Sequence, residues 1–128
     1  MNALLSIKPR YAALILDGTK HYEYRKSIFA GNNINKVYIY ASSPIKKVIG
    51  EFKVVSILCD TPQKIWQRTH KESGLSKAEF FDYFDGKDRG YAIQIMDLER
   101  FNIPLSLKCK APQSFRYFEE VKEICYIN

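Results

Sequence analysis

Apolar and polar positions along this chain recur with two different periods, and each change of period marks an element. Leu4 to Lys8 reads as a short first strand. Pro9 then suits the first turn of a helix, where its missing N–H has no bond to lose. Tyr11, Leu14 and Ile15 supply the apolar stripe, and Gly18 is placed to end the helix. Lys20 to Lys26 reads as a strand, followed by a loop through Ala30-Gly31-Asn32-Asn33. Asn35 to Ser42 alternates Val37, Ile39 and Ala41 against Tyr38, Tyr40 and Ser42, the period of a strand, and Ser43-Pro44 breaks it.

Lys46 to Leu58 reads as a longer strand with Gly50 inside it, a position that marks a bulge or the corner of a barrel. Thr61-Pro62 is an N-cap followed by Pro, opening a helix to about Lys71. Ser76-Lys77-Ala78-Glu79 is a capping box ahead of Phe80, Phe81 and Phe84, so a second short helix ends near Gly86, its aromatic stripe facing the core. Gly90 to Asp97 alternates again, and Phe101 to Leu107 resembles a further strand interrupted by Pro104. The tail from Ala111 mixes polar and aromatic residues and then becomes charged. The order β-α-β-β-β-α-α-β-β predicts an α+β fold, a mixed and mostly antiparallel sheet curled into a small barrel with flanking helices. With no linker or repeat, residues 1–128 read as a single domain. The absence of a Gly-rich phosphate loop argues against use of nucleoside triphosphates.

Charge changes this picture more than composition does. Residues 1 to 50 hold Lys8, Arg10, Lys20, Arg25, Lys26, Lys36, Lys46 and Lys47 against Asp17 and Glu23, so the whole formal charge of +6 lies in the first half. Interleaved with Tyr11, Tyr22, Tyr24, Tyr38 and Tyr40, that half suits a polyanion whose bases can stack; it equally suits a plain basic surface. No apolar run is long enough to cross a membrane, and the opening lacks the layout of a signal peptide. Cys59, Cys109 and Cys125 are odd in number and widely spaced, so the expectation is reduced thiols in the cytoplasm. No Cys/His cluster has the spacing of a metal site, and no cofactor is implied.

The chemistry concentrates in Gly18-x-Lys20-x-x-Glu23-x-Arg25, where a helix stop runs into a strand. Alternation puts His21, Glu23 and Arg25 on one face and Lys20, Tyr22 and Tyr24 on the other. Two cations and a carboxylate at the mouth of a cleft are suited to holding a phosphate or a polar base, or to moving protons. The same residues also suit an edge strand carrying a surface Glu–Arg pair.

Four stretches, taken in order, carry a resemblance to the ASCH family of the PUA-like barrel superfamily. They are Leu4-Leu5-Ser6-Ile7-Lys8-Pro9, the Gly18-x-Lys20-x-x-Glu23-x-Arg25 signature, Val37-Tyr38-Ile39-Tyr40-Ala41 and Gly90-Tyr91-Ala92-Ile93. The tail Pro112-Gln113-Ser114-Phe115-Arg116-Tyr117 is similar to the end of the family's stand-alone bacterial and archaeal members. The resemblance implies a PUA-like barrel with a cleft beside the first helix, lined by the signature residues. It also implies binding of RNA or other nucleic acid, and some stand-alone members are labelled candidate transcriptional regulators. One branch resembles an amidohydrolase that removes an acyl group from N4-acetylcytidine-type nucleosides. That branch carries Thr three residues after its Lys, where this chain has Glu23, and a helical Glu for which Glu72 or Glu79 would have to stand.

Two mechanisms follow. As a binder of RNA or a nucleoside, the chain would use Lys20 and Arg25 on phosphate or base edges, with Lys8 and Arg10 at the rim. Tyr22, Tyr38, Tyr40 or Tyr117 would stack, and Glu23 would read an amino group or orient Arg25. As a hydrolase it would use Lys20 as the activated amine and Glu23 as base for water, with Ser6, Ser42 or the Gln113 amide holding the oxyanion. Glu23 beside Lys20 favours the charged ammonium, which is a reason to prefer binding.

Overall fold

The computed structural model describes residues 1–29 and 33–127; most of the loop expected at Ala30-Gly31-Asn32-Asn33 lies outside them. Six strands form one sheet in the order β2-β5-β4-β3-β1-β6. They are β1 (Asn2–Ile7), β2 (Tyr22–Arg25), β3 (Lys36–Ala41), β4 (Lys47–Asp60), β5 (Gly90–Leu105) and β6 (Phe115–Phe118). β1 and β3 run parallel, from Asn2 opposite Lys36 to Ile7 opposite Ala41, and every other pairing is antiparallel. Three helices complete the fold: α1 (Pro9–Leu16), α2 (Pro62–Thr69) and α3 (Lys77–Tyr83). The result is the expected α+β architecture, with the mostly antiparallel sheet curled into a half-barrel. Its edges β2 and β6 do not pair with each other among the described residues.

Local chemistry explains the ends of these elements. Gly18 takes φ +85° and lets the chain reverse, while the N–H groups of Thr19 and Lys20 both bond to the Leu14 carbonyl and close α1. Thr61 caps α2, and Ser76 with Glu79 forms the full capping box of α3. α2 stops at Thr69 and gives way to a tighter 3-10 turn over His70–Glu72, slightly short of the expected Lys71.

Two expectations are corrected. Gly90 to Leu105 is one continuous strand and not two; β2 covers only Tyr91 to Gln94, so beyond that point one side of β5 has no strand beside it among the described residues and Pro104 is tolerated. The tail holds a strand, β6, that the mixed pattern of Phe115 to Phe118 did not announce; it lies antiparallel to β1, Leu5 opposite Phe115.

The main core fills the curl of the sheet with Leu5, Ile7, Ile15, Val37, Ile39, Phe52 and Ile93. A second cluster joins Tyr24, Ile65, Phe80, Phe84 and Ala92, so the aromatic stripe of α3 is core, with Tyr24 edge-on to Phe80 at 5.0 Å between ring centres. Gly50 sits where the register between β4 and β5 shifts. A Cβ there would lie 2.7 Å from the Glu99 carbonyl oxygen, a backbone atom of the neighbouring strand that cannot step aside. Gly50→Ala is therefore expected to lower unfolding stability by about 1–3 kcal/mol in a urea melt with no change in the slope; an unaltered midpoint would refute the close approach.

Candidate functional site

Lys20 leaves the end of α1 pointing inward and is only 2% exposed. Its Nζ donates to the Ser73 carbonyl at 2.8 Å and stands 4.4 Å from the centre of the Tyr24 ring and 5.5 Å from that of Tyr11. Gly74 permits this: a Cβ at that position would fall 2.9 Å from Lys20 Cβ. Burial pulls the amine down to about 8, with Glu23 and then Glu79 opposing the fall. Glu23 favours the charged ammonium, as its position in the sequence implies, but burial is the larger effect and brings the value below that of an ordinary lysine.

Glu23, 5% exposed, lies on β2. Its Oε2 accepts from Arg25 Nη1 at 3.2 Å, and no donor among the described residues reaches Oε1. Desolvation raises its pKa, while Lys20 and Arg25 work against the rise. Arg25 is the most heavily bonded group here. Besides Glu23, Nη1 donates to the Ser6 carbonyl at 3.3 Å, and Nη2 donates to Ser114 twice, to its carbonyl at 3.3 Å and its hydroxyl at 2.8 Å. It therefore ties β2 to β1 and to the segment leading into β6, across the open side of the half-barrel.

These three groups form the floor of a cavity of about 600 Å³. Tyr11 on α1, Tyr24 on β2, and Leu75 and Tyr83 from the α3 region line it, together with Ser6, Ile7 and Lys8 at the end of β1 and Tyr40, Ser42, Ser43 and Lys46 at and after the end of β3. Ala111, Pro112 and Gln113 complete the wall, the Ser6 hydroxyl donating to the Pro112 carbonyl at 2.6 Å. Arg10 and Glu79 clamp α1 to α3 with a two-pronged ion pair, one prong Nη2 to Oε1 at 3.1 Å. Arg10 and the Ser76 N–H pull the Glu79 carboxyl down to about 2.

Of the residues singled out in the sequence, Lys8, Lys20, Glu23, Arg25, Ser42 and Gln113 come together at this cavity. Tyr22 and Tyr117 do not. Tyr22 packs toward Tyr24, Ile65 and Phe80, and Tyr117 sits on β6 with its ring 5.5 Å from Phe115. Tyr40 lines the cavity whereas Tyr38 packs edge-on to Phe118. His21 turns outward, one ring nitrogen on the Gly18 carbonyl and the other on Glu72. Neither Glu72 nor Glu79 lines the cavity. Lys46, Ser43, Leu75 and Tyr83 are additions; only Tyr83, three residues after Phe80 on the same face of α3, had a periodic signal. Among the described residues no group of three or more His, Cys, Asp or Glu side chains is placed to hold a metal ion, and no helix is long and apolar enough to cross a membrane.

The opposition between burial and Glu23 has a measurable sign. Glu23→Gln removes a charge that raises the Lys20 pKa, so the amine should titrate below about 8 when followed by NMR at its ε-carbon; an upward or absent shift would refute the coupling. The folded pKa also lies below the ordinary 10.5, so the unfolded chain binds more protons between the two values and Lys20 makes stability rise from about pH 8 to about pH 10.5. Lys20→Met should flatten that rise in denaturant melts taken at pH 8 and pH 10.5.

Known proteins place the chain. A model of the ASCH domain matches residues 5–123. A Zymomonas mobilis protein named ASCH domain-containing ribonuclease is 32% identical over 95 residues, which is 74% of this chain and 64% of that protein. The large ribosomal subunit protein uL22 of Ureaplasma parvum is 28% identical over 120 residues, covering 91% of this chain but 39% of its own length. The chain thus spans less than two thirds of either curated relative. A crystal structure of ASCH from Zymomonas mobilis matches with a TM-score of 0.86 at 27% identity, over 95% of this chain and 90% of that one. With the family model spanning nearly its whole length and the half-barrel shared with a solved member, this chain belongs to the ASCH domain family.

Proposed function

We propose that the cavity receives a single nucleotide of RNA, its base unstacked from its neighbours and held over the Lys20–Glu23–Arg25 floor. The observation that carries this reading is the pairing of a buried donor with a buried acceptor at the bottom of a tyrosine-lined cavity. The Lys20 ammonium donates, and Glu23 Oε1 accepts. Every nucleobase presents an N–H next to an acceptor on its Watson–Crick edge and a flat face for stacking. Tyr11, Tyr83 and Tyr40 offer ring surface, worth roughly 1–3 kcal/mol per stacked base. The basic first half of the chain adds attraction for a polyanion. Relatives named as a ribonuclease and as a ribosomal-subunit protein agree with an RNA ligand.

Arg25 has a different part from the one its sequence position implies. With its bonds to Ser6, Glu23 and Ser114, it positions the floor and does not reach for phosphate. Lys20→Met should weaken binding of a short single-stranded RNA by about tenfold or more, the range for losing a hydrogen bond to a charged group, read by fluorescence anisotropy. Unchanged affinity in a variant that still melts cooperatively would end the reading.

One observation favours a second reading, in which the same cavity also breaks a bond in its ligand. An amine at about 8 is neutral in roughly a tenth of molecules at pH 7 and can take up a proton, with Glu23 beside it. The reaction class is hydrolysis, either of an acyl group on an exocyclic base nitrogen or of the RNA strand. Mass spectrometry of N-acylated nucleosides and single-stranded RNA after incubation tests it. Turnover should rise with pH up to about 8 and vanish in Lys20→Met; turnover independent of both would exclude this role.

A further inference from the structure

We propose that the nucleotide enters base first and that its phosphate rests at the cavity mouth, on a subsite formed by Lys8, Ser42, Ser43 and Lys46. This rests on the RNA-nucleotide reading above and extends it to the ligand's orientation and to Ser43 and Lys46, which have had no role so far.

The floor is closed to a phosphate. Four of the five guanidinium N–H groups of Arg25 can be accounted for by bonds to Ser6, Glu23 and Ser114. Lys20 is buried and anchored to the Ser73 carbonyl, with tyrosine rings beside its Nζ. The Glu23 carboxylate sits between these cations, and a phosphate brought against it would meet a like charge where water is largely excluded. A base edge, with donors for Glu23 and acceptors for Lys20, meets no such opposition.

The mouth is the reverse. Among the described residues the only other cations lining the cavity are Lys8 and Lys46, both exposed, and Glu23 is the only acidic one. The sheet itself puts them side by side. β1 and β3 are parallel and end in register at Ile7 and Ala41, so the next residues, Lys8 and Ser42, emerge together, joined by the Ser42 N–H donating to the Ile7 carbonyl at 3.0 Å. Ser43 and Lys46 follow in the turn before β4, adding a second hydroxyl and a second ammonium. The region of α3 contributes Leu75 and Tyr83 to the lining, apolar and ring surface suited to a base or sugar face. The two parts of the lining thus fix a direction, with ring stacking on residues from the α3 region and charge neutralised at the ends of β1 and β3.

The test compares the four ribonucleosides with their 5′- and 3′-monophosphates and with inorganic phosphate, by calorimetry on the full chain and on Lys8→Ala/Lys46→Ala. Both lysines are exposed, so the variant keeps the fold. At least one monophosphate should bind about tenfold tighter than its nucleoside to the unaltered protein. The double substitution should abolish that preference and leave nucleoside affinity as it was; whether the 5′ or the 3′ series shows it identifies the phosphate. Nucleosides binding as well as their monophosphates, or a preference that survives the substitution, would overturn the orientation and leave the base-binding reading standing. Tight binding of inorganic phosphate that Lys20→Met abolishes would overturn it as well, by placing the anion on the floor. Failure of every nucleoside and nucleotide to bind would overturn both the orientation and the reading beneath it.

Discussion

The guanidinium of Arg25 is the interaction on which the rest of this molecule depends. A half-barrel whose edge strands do not pair is an open curl, and its two sides need something to hold them at the distance a cavity requires. Arg25 reaches from β2 to the Ser6 carbonyl on β1 and to both oxygens of Ser114, just ahead of β6. The planar fork of an arginine suits this task; a lysine offers one point charge and no fixed angles. The same group partners Glu23, which would otherwise be a buried carboxylate with no bonded cation. One residue therefore sets both the shape of the cavity and the charge at its base.

At that base, solvation and Coulomb attraction pull in opposite directions. Glu23 and Glu79 favour a charged Lys20, burial disfavours it, and burial prevails. A fall from 10.5 to about 8 corresponds to roughly 3 kcal/mol of strain on the protonated form, a sizeable share of the 5–15 kcal/mol by which domains are stable at all. The fold carries this burden through the groups packed around the amine. The Ser73 carbonyl receives the ammonium, Tyr11 and Tyr24 face it with their rings, and the Tyr24 hydroxyl is itself tied to Thr69 at 2.7 Å. A buried amine so supported is what a site needs and what a core alone would avoid.

Much of this was legible in the sequence because it depends on short-range rules. The stop at Gly18, the capping box at Ser76 and the alternation of Val37 to Ala41 are local, and the structure keeps them. The spacing of Lys20, Glu23 and Arg25 likewise singled out residues that do meet. What escaped depends on distance along the chain. Ser114 lies 89 residues from Arg25, and no local pattern links them. Tyr22 and Tyr117 looked like stacking surface because a strand offers two faces, and only the completed sheet decides which face looks into the cavity. β6 stayed hidden because a four-residue edge strand with two exposed positions shows no clean alternation. Pro104 read as an interruption because the sequence does not tell that β2 covers only the first part of β5. The depth of Lys20, and with it the direction of its pKa, belongs wholly to tertiary packing.

Gly74 carries a consequence of a different kind. It holds φ +69° with no room for a Cβ against the Cβ and Cγ of Lys20, so the residue beside the lysine stem is as tightly specified as the lysine itself. A side chain there would be strained at this φ and would crowd the stem by which Lys20 reaches the Ser73 carbonyl. Among ASCH sequences, glycine at this position should therefore travel with the signature lysine, and where one is lost the other is released from constraint. That pairing offers a way to sort family members that keep the amine buried from those that share the half-barrel without it.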